Sequence, residues 1–303
     1  MKWRAERWTP ALGRGAAAGL VLACLVAAAA AATLHLAPFK DRLFAYPGIL
    51  ESRDAGAYLV VDYREARDID ARDAVPERRV SGRYVDTAIR RLQRDLVAET
   101  PAGPVRHFAV GRPRPPRLLT IYLHGQGGSR HQGVDDFTFG GNFNRIKNLM
   151  GRNGGLYLSP DFSDFGARGA AQIAALIARY TAASPQAPVF LACGSMGGAL
   201  CWRLARDPQV AARLGGLLLL GSMWDEGFLS SAAFRHRVPV LLAHGSRDTV
   251  FPVARQEAFY RAIRERAPAY PVRFVRFETG THGTPIRMVD WRETLNWMLS
   301  VPL

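Results

Sequence analysis

The sequence predicts an α/β protein built on a doubly wound, mostly parallel sheet. Three observations carry this. Short apolar runs recur from residue 118 to the end without polar–apolar alternation, as strands covered on both faces require. Segments with helical periodicity separate them, and a repeated β–α order implies parallel pairing through crossovers. The chain has 303 residues, enough for one large domain with a deep core.

Residues 1–40 read as a signal peptide or membrane anchor. Lys2, Arg4, Arg7 and Arg14 form a basic flank offset only by Glu6, and an uncharged run follows from Gly15 to Phe39. That run is long enough to span a bilayer, with the positive flank retained in the cytoplasm. The stretch Ala27–Ala32 offers small-residue cleavage sites, while the length of the run favours an uncleaved anchor. Either way the chain is expected to be exported. It would be anchored in the inner membrane facing the periplasm or, once cleaved, soluble in the periplasm or secreted.

Residues 41–90 are rich in Arg and Asp and show no clean period of 2 or 3.6, so an irregular N-terminal extension is expected there, with loop over 71–85. The main domain is expected over 91–303. Gln93–Glu99 and Val105–Val110 read as an antiparallel hairpin joined by Pro101-Ala102-Gly103-Pro104. Buried strands follow at 118–123, 155–158, 189–192, 217–220, 238–243 and 272–277. Helices are expected at 142–150, 169–180, 196–206, 253–266 and 286–299, with a small cap insert at about 222–237.

The formal charge of +14 invites a nucleic-acid reading. However, lysine occurs only at 2, 40 and 147, and the arginines are scattered among acids, as in Arg64-Glu65-Ala66-Arg67-Asp68. This pattern describes a solvated, salt-bridged surface with no nucleic-acid partner, leaving room for weak attraction to anionic headgroups or acidic polysaccharide. The three cysteines are Cys24, Cys193 and Cys201. No disulfide is expected, because pairing the last two would strain the turn they bracket. No cluster has metal-ligand spacing and no glycine-rich nucleotide loop is present, so neither metal nor cofactor is expected.

The chemistry-bearing motif is Val189-Phe190-Leu191-Ala192-Cys193-Gly194-Ser195-Met196-Gly197-Gly198. A buried strand runs into a serine among small residues, and a helix begins at once. Such a turn exposes the Ser195 hydroxyl above the sheet edge and aims a helix N-terminus at a reacting oxygen. The segment resembles the nucleophile elbow of the α/β-hydrolase family, except that Cys193 stands where that pattern has glycine. His124-Gly125-Gln126-Gly127-Gly128, after an apolar strand, is similar to the family's oxyanion loop. The resemblance continues with Asp248 in the turn after the strand at 238–243 and His282 in the loop after the last strand. It covers residues from about 90 to the end and has the family's order Ser, Asp, His.

The resemblance implies Ser195 as nucleophile, His282 as base and Asp248 as acid, with Asp225 in reserve after the preceding strand. It also implies an oxyanion hole from the backbone N–H groups of Gln126 and Met196. The implied reaction is hydrolysis of a carboxylic ester of a small or lipid-like acyl substrate. Amide or thioester cleavage, acyl transfer, and a silent binding protein on the same fold remain alternatives. Trp224, Phe228 and Arg130 are candidate substrate contacts.

Overall fold

A computed structural model describes residues 34–302, apart from Pro113. Its centre is a ten-stranded sheet in the order β1-β2-β12-β11-β10-β9-β7-β8-β6-β5. Here β1 is Ile49–Arg53, β2 Tyr58–Val61, β5 Gln93–Ala98, β6 Val105–Val110, β7 Leu119–Leu123 and β8 Leu156–Pro160. The later strands are β9 Val189–Gly194, β10 Leu214–Leu220, β11 Val240–Gly245 and β12 Val272–Phe277, while β3 (Asp73–Val75) and β4 (Arg79–Val80) form a separate hairpin. The strands from β2 through β12, β11, β10, β9 and β7 to β8 pair parallel. The edges are antiparallel, β1 on β2 at one side and the β5–β6 hairpin on β8 at the other.

Among the described residues, nine α-helices accompany the sheet. They are α1 Asp41–Phe44, α2 Asn142–Arg152, α3 Ala167–Thr181, α4 Gly198–Arg206 and α5 Pro208–Ala211, then α6 Ala232–Arg235, α7 Val253–Arg266, α8 Thr284–Met288 and α9 Trp291–Ser300. Strand β9 shows why the apolar runs do not alternate. Val189, Leu191 and Cys193 join the core on the face of α3, α4 and α7, with Ile173, Leu204 and Ile263. Phe190 and Ala192 join the opposite core, with Ile146 of α2 and Leu295 of α9. Both faces are dry, so every position is apolar.

The doubly wound sheet and the antiparallel hairpin agree with the sequence expectation, and three regions differ. Residues 41–90 are not wholly irregular, since β1 and β2 extend the main sheet and the Tyr58 ring stacks on Phe274 with centroids 5.1 Å apart. Every residue of β1 is exposed, so this edge strand carries no burial pattern to read. The terminal helix is two helices, because Asp290 restarts the chain as an N-cap that accepts from Glu293 N–H.

The third difference concerns the apolar N-terminal run. Leu36 is fully buried and Phe39 nearly so, both in the core beneath α2 and α9. Leu36 N–H donates to Asn296 Oδ1 at 2.7 Å, and Arg292 Nε donates to the Leu36 carbonyl at 2.7 Å. The end of the run is therefore part of the domain, and the expected address segment shortens to residues 1–33, which lie outside the described residues. No described helix is long and apolar enough to cross a membrane.

Candidate active site

The site is built at the carboxyl ends of the parallel strands. Strand β9 ends at Gly194, Ser195 takes φ 50°, a single 3₁₀ turn follows, and α4 begins at Gly198. A left-handed backbone is disfavoured for serine and persists only where the surroundings enforce it. They do so here by close approach of backbone to backbone. A side chain at Gly125 would bring its Cβ 2.8 Å from that of Ser195, and one at Gly197 would lie 2.9 Å from the His124 carbonyl. Ser222 Oγ donates to the Ser195 carbonyl at 2.6 Å and fixes the turn from the loop that follows neighbouring β10.

Three side chains predicted from sequence meet above this turn. His282 Nε2 lies 2.9 Å from Ser195 Oγ, and His282 Nδ1 lies 2.8 Å from Asp248 Oδ2. The Asp248 side chain is completely buried, whereas that of His282 is 28% exposed, so solvent and small molecules can reach the imidazole but not the carboxylate. Asp248 Oδ1 accepts from the N–H groups of Val250 and Phe251 at 2.8 and 3.0 Å. Burial would raise the Asp248 pKa. Hydrogen bonds from His244, His282, Phe251 and Val250 outweigh it and hold the carboxyl well below its usual range. The group thus remains an anion facing the His282 ring.

His244 escaped the sequence reading as a site residue. It is fully buried on β11, with Nε2 2.7 Å from the Phe251 carbonyl and 3.2 Å from Asp248 Oδ2. The first contact requires a proton on Nε2, so the ring also donates toward Asp248. Its spacing of four residues from Asp248 is the only signal the sequence holds. His124, ahead of the Gly125 turn, stacks on Phe162 with centroids 4.3 Å apart, and its Nδ1 lies 2.8 Å from the Gly125 carbonyl. Burial lowers its pKa against the opposing pull of that carbonyl. Gln126 is exposed directly beyond Gly125, and Met196, half-buried, follows Ser195.

The expectation of no disulfide is overturned. Cys193 and Cys201 are bridged, with Cα atoms 6.5 Å apart. Helix α4 folds back along β9, which brings the two Cα atoms within disulfide range without unwinding the turn. Both cysteines are buried in the core beside Leu191 and Trp202, while Ser195 Oγ faces His282.

Two proposed substrate contacts are also corrected. Phe228 is fully buried among Trp202, Phe234, Phe259 and Tyr270, so it packs the core and lines no opening. Arg130 already binds two carboxylates, Asp95 and Asp161, at 3.1 and 2.8 Å. Trp224 remains half-buried, with the Arg255 guanidinium 5.8 Å from its ring. Phe251 joins it as a half-buried ring, centred 5.7 Å from the His282 imidazole. Asp225 does not reach the site. It caps the turn at Glu226–Ser230 and pairs with Arg206.

The fold has counterparts among solved structures. An alpha-beta serine hydrolase homologue from Coxiella burnetii matches with TM-score 0.51 and 19% identity, over 67% of this chain and 95% of that one. The fold is that of the α/β-hydrolases. A Xanthomonas campestris α/β serine hydrolase described as lacking a lid matches this α/β-hydrolase fold with TM-score 0.51 and 18% identity, over 68% and 93% of the two chains. An esterase of Pyrococcus furiosus matches with TM-score 0.52 and 16% identity, over 73% and 95%. No family model and no curated protein sequence matches the chain.

Proposed function

We propose that the protein is a serine hydrolase that cleaves carboxylic esters through an acyl-enzyme. The observation that carries this reading is the continuous hydrogen-bonded chain from Asp248 through His282 to Ser195. In the proposed reaction Ser195 Oγ attacks the ester carbonyl carbon while His282 Nε2 takes the hydroxyl proton. Asp248 holds the ring in the tautomer with its proton on Nδ1 and stabilises the imidazolium. The carbonyl oxygen becomes an oxyanion, received by the N–H groups of Gln126 and Met196. Collapse expels the alcohol, which carries away the His282 proton. Water then attacks the acyl carbon with His282 again as base, releasing the acid and restoring Ser195.

Half-buried Phe251 borders this centre, its ring 5.7 Å from the His282 imidazole, and favours an apolar acyl or alcohol group. The experiment that tests the reading is labelling with a fluorophosphonate probe, followed by turnover of p-nitrophenyl esters of graded chain length beside amide and thioester analogues. Labelling lost in Ser195→Ala, together with preferred ester turnover, supports it. An unlabelled wild-type chain refutes it.

Export is part of the same proposal. A buried disulfide next to Ser195 suits an oxidising compartment, in keeping with the basic and apolar composition of residues 1–33. Cell fractionation with N-terminal sequencing of the recovered chain tests it, and full-length protein recovered from the cytosol would refute export.

A further inference from the structure

A second chemically distinct feature lies at the opposite end of the sheet. A cavity of about 450 Å³ is lined by Arg91, Arg112, Arg114 and Arg152, with Asp86 as the only acid and Leu92 among the apolar residues of the described lining. Asp86 is partly committed, since its Oδ1 accepts from Ala88 N–H and its Oδ2 lies 3.4 Å from Arg152 Nη2. Arg91, Arg112 and Arg114 are exposed and form no ion pair with any described residue. The volume is within the roughly 300–1,000 Å³ of small-molecule sites, and the charge is strongly positive.

Strand register locates this cavity. Gln93 pairs with Val110, Val110 with Tyr157, and Leu119 with Leu156. The arginines before β5 and β7 and at the end of α2 therefore gather at the amino ends of the parallel strands, whereas Ser195, Asp248 and His282 stand beyond the carboxyl ends. The N-terminal stretch passes the same place. Ala37 N–H donates to Asn153 Oδ1 at 2.7 Å, and Arg152 lies over the Phe39 ring at 4.6 Å. Lys40 Nζ donates to the carbonyl of Val85 at 2.8 Å, one residue before Asp86. From Leu34, the first described residue, to Phe39 the chain reaches at most about 18 Å.

We propose that this arginine cavity docks the anionic headgroups of the phospholipid bilayer to which the N-terminal segment directs the chain. The inference rests on the export reading and adds a second membrane contact to it. Charge complementarity favours a phosphate-bearing group. None of the described lining residues is aromatic, and the Phe39 ring beside them is covered by Arg152, so the lining offers no stacking platform for nucleobases. Docking here turns the Ser195 face away from the bilayer, so the hydrolase receives its ester from the aqueous side.

Residues 33–303 form one compact unit with its own cores, and the chain beginning at Thr33 suits the test. It is sedimented with vesicles of phosphatidylcholine alone and of phosphatidylcholine with phosphatidylglycerol. Wild type is expected to bind only the second, and Arg91→Glu with Arg112→Glu and Arg114→Glu to weaken binding by at least about fivefold per arginine, on the order of a hundredfold in all. A control reversing Arg203, Arg261 and Arg266 should bind as wild type, and ester turnover should be unchanged in both variants. Equal binding to both vesicles, or equal loss in the control, overturns the proposal. So does protection of the cavity amides by inorganic phosphate without vesicle binding, which would assign a soluble ligand. Failure of the hydrolase or export reading shows instead in probe labelling or fractionation, which do not depend on these arginines.

Discussion

Two loops leave neighbouring parallel strands, each with an aspartate, and they differ in almost everything else. Asp225, after β10, is partly exposed, caps a short turn and pairs with Arg206 at the surface. Asp248, after β11, is sealed from solvent and accepts from two backbone N–H groups and two histidines. The first arrangement pairs the carboxylate with a partly exposed cation. The second leaves an anion fixed against one imidazole that solvent can reach. Position at a strand end is thus common to both, and burial with directed donors separates a surface cap from a group able to orient a base.

Several substitutions would break or sharpen this contrast. Ser195→Ala removes the atom that the buried loop serves, and turnover should fall about a million-fold, read as kcat on a p-nitrophenyl ester. Asp248→Asn should cost about 10⁴-fold in kcat, because the amide no longer holds His282 in its tautomer. Replacing both cysteines with serine opens the short loop around the elbow and should lower stability by about 2–3 kcal/mol, measured by denaturant unfolding. His244→Phe removes one donor from Asp248 and should lower kcat by about ten- to a hundredfold with KM nearly unchanged, while His244→Gln, which keeps an N–H, should recover much of the loss. Asp225→Asn is the smallest change, within about 0.5 kcal/mol of stability and with unchanged kcat. A ranking in which Asp225→Asn harms turnover more than Asp248→Asn would move the acid to the other loop.

The parallel block was legible because its strands are buried on both faces, so β9, β10 and β11 read as unbroken apolar runs. Ser195 and Asp248 were legible from their places after such strands, and His282 from its place in the loop after the last strand. β1 and the β3–β4 hairpin were not, since strands with exposed or two-residue partners carry no periodic signal. The Cys193–Cys201 bridge depends on how a helix folds back over its strand, which spacing alone does not disclose. Phe228 and Phe251 show the same limit from the other side. Both are phenylalanines in loops following sheet strands, yet one fills the core and the other borders His282.

The backbone of Ser195 places reactivity and robustness in opposition at a single residue. Glycine accepts φ 50° without the penalty that serine and alanine both incur. Ser195→Gly should therefore unfold at a higher temperature than Ser195→Ala, by about 1 kcal/mol of stability, although both lack the hydroxyl. A selection for thermal tolerance that ignored turnover would drift toward the inert glycine. Under the proposed reaction, turnover is what would keep a serine in a conformation the polypeptide would otherwise abandon.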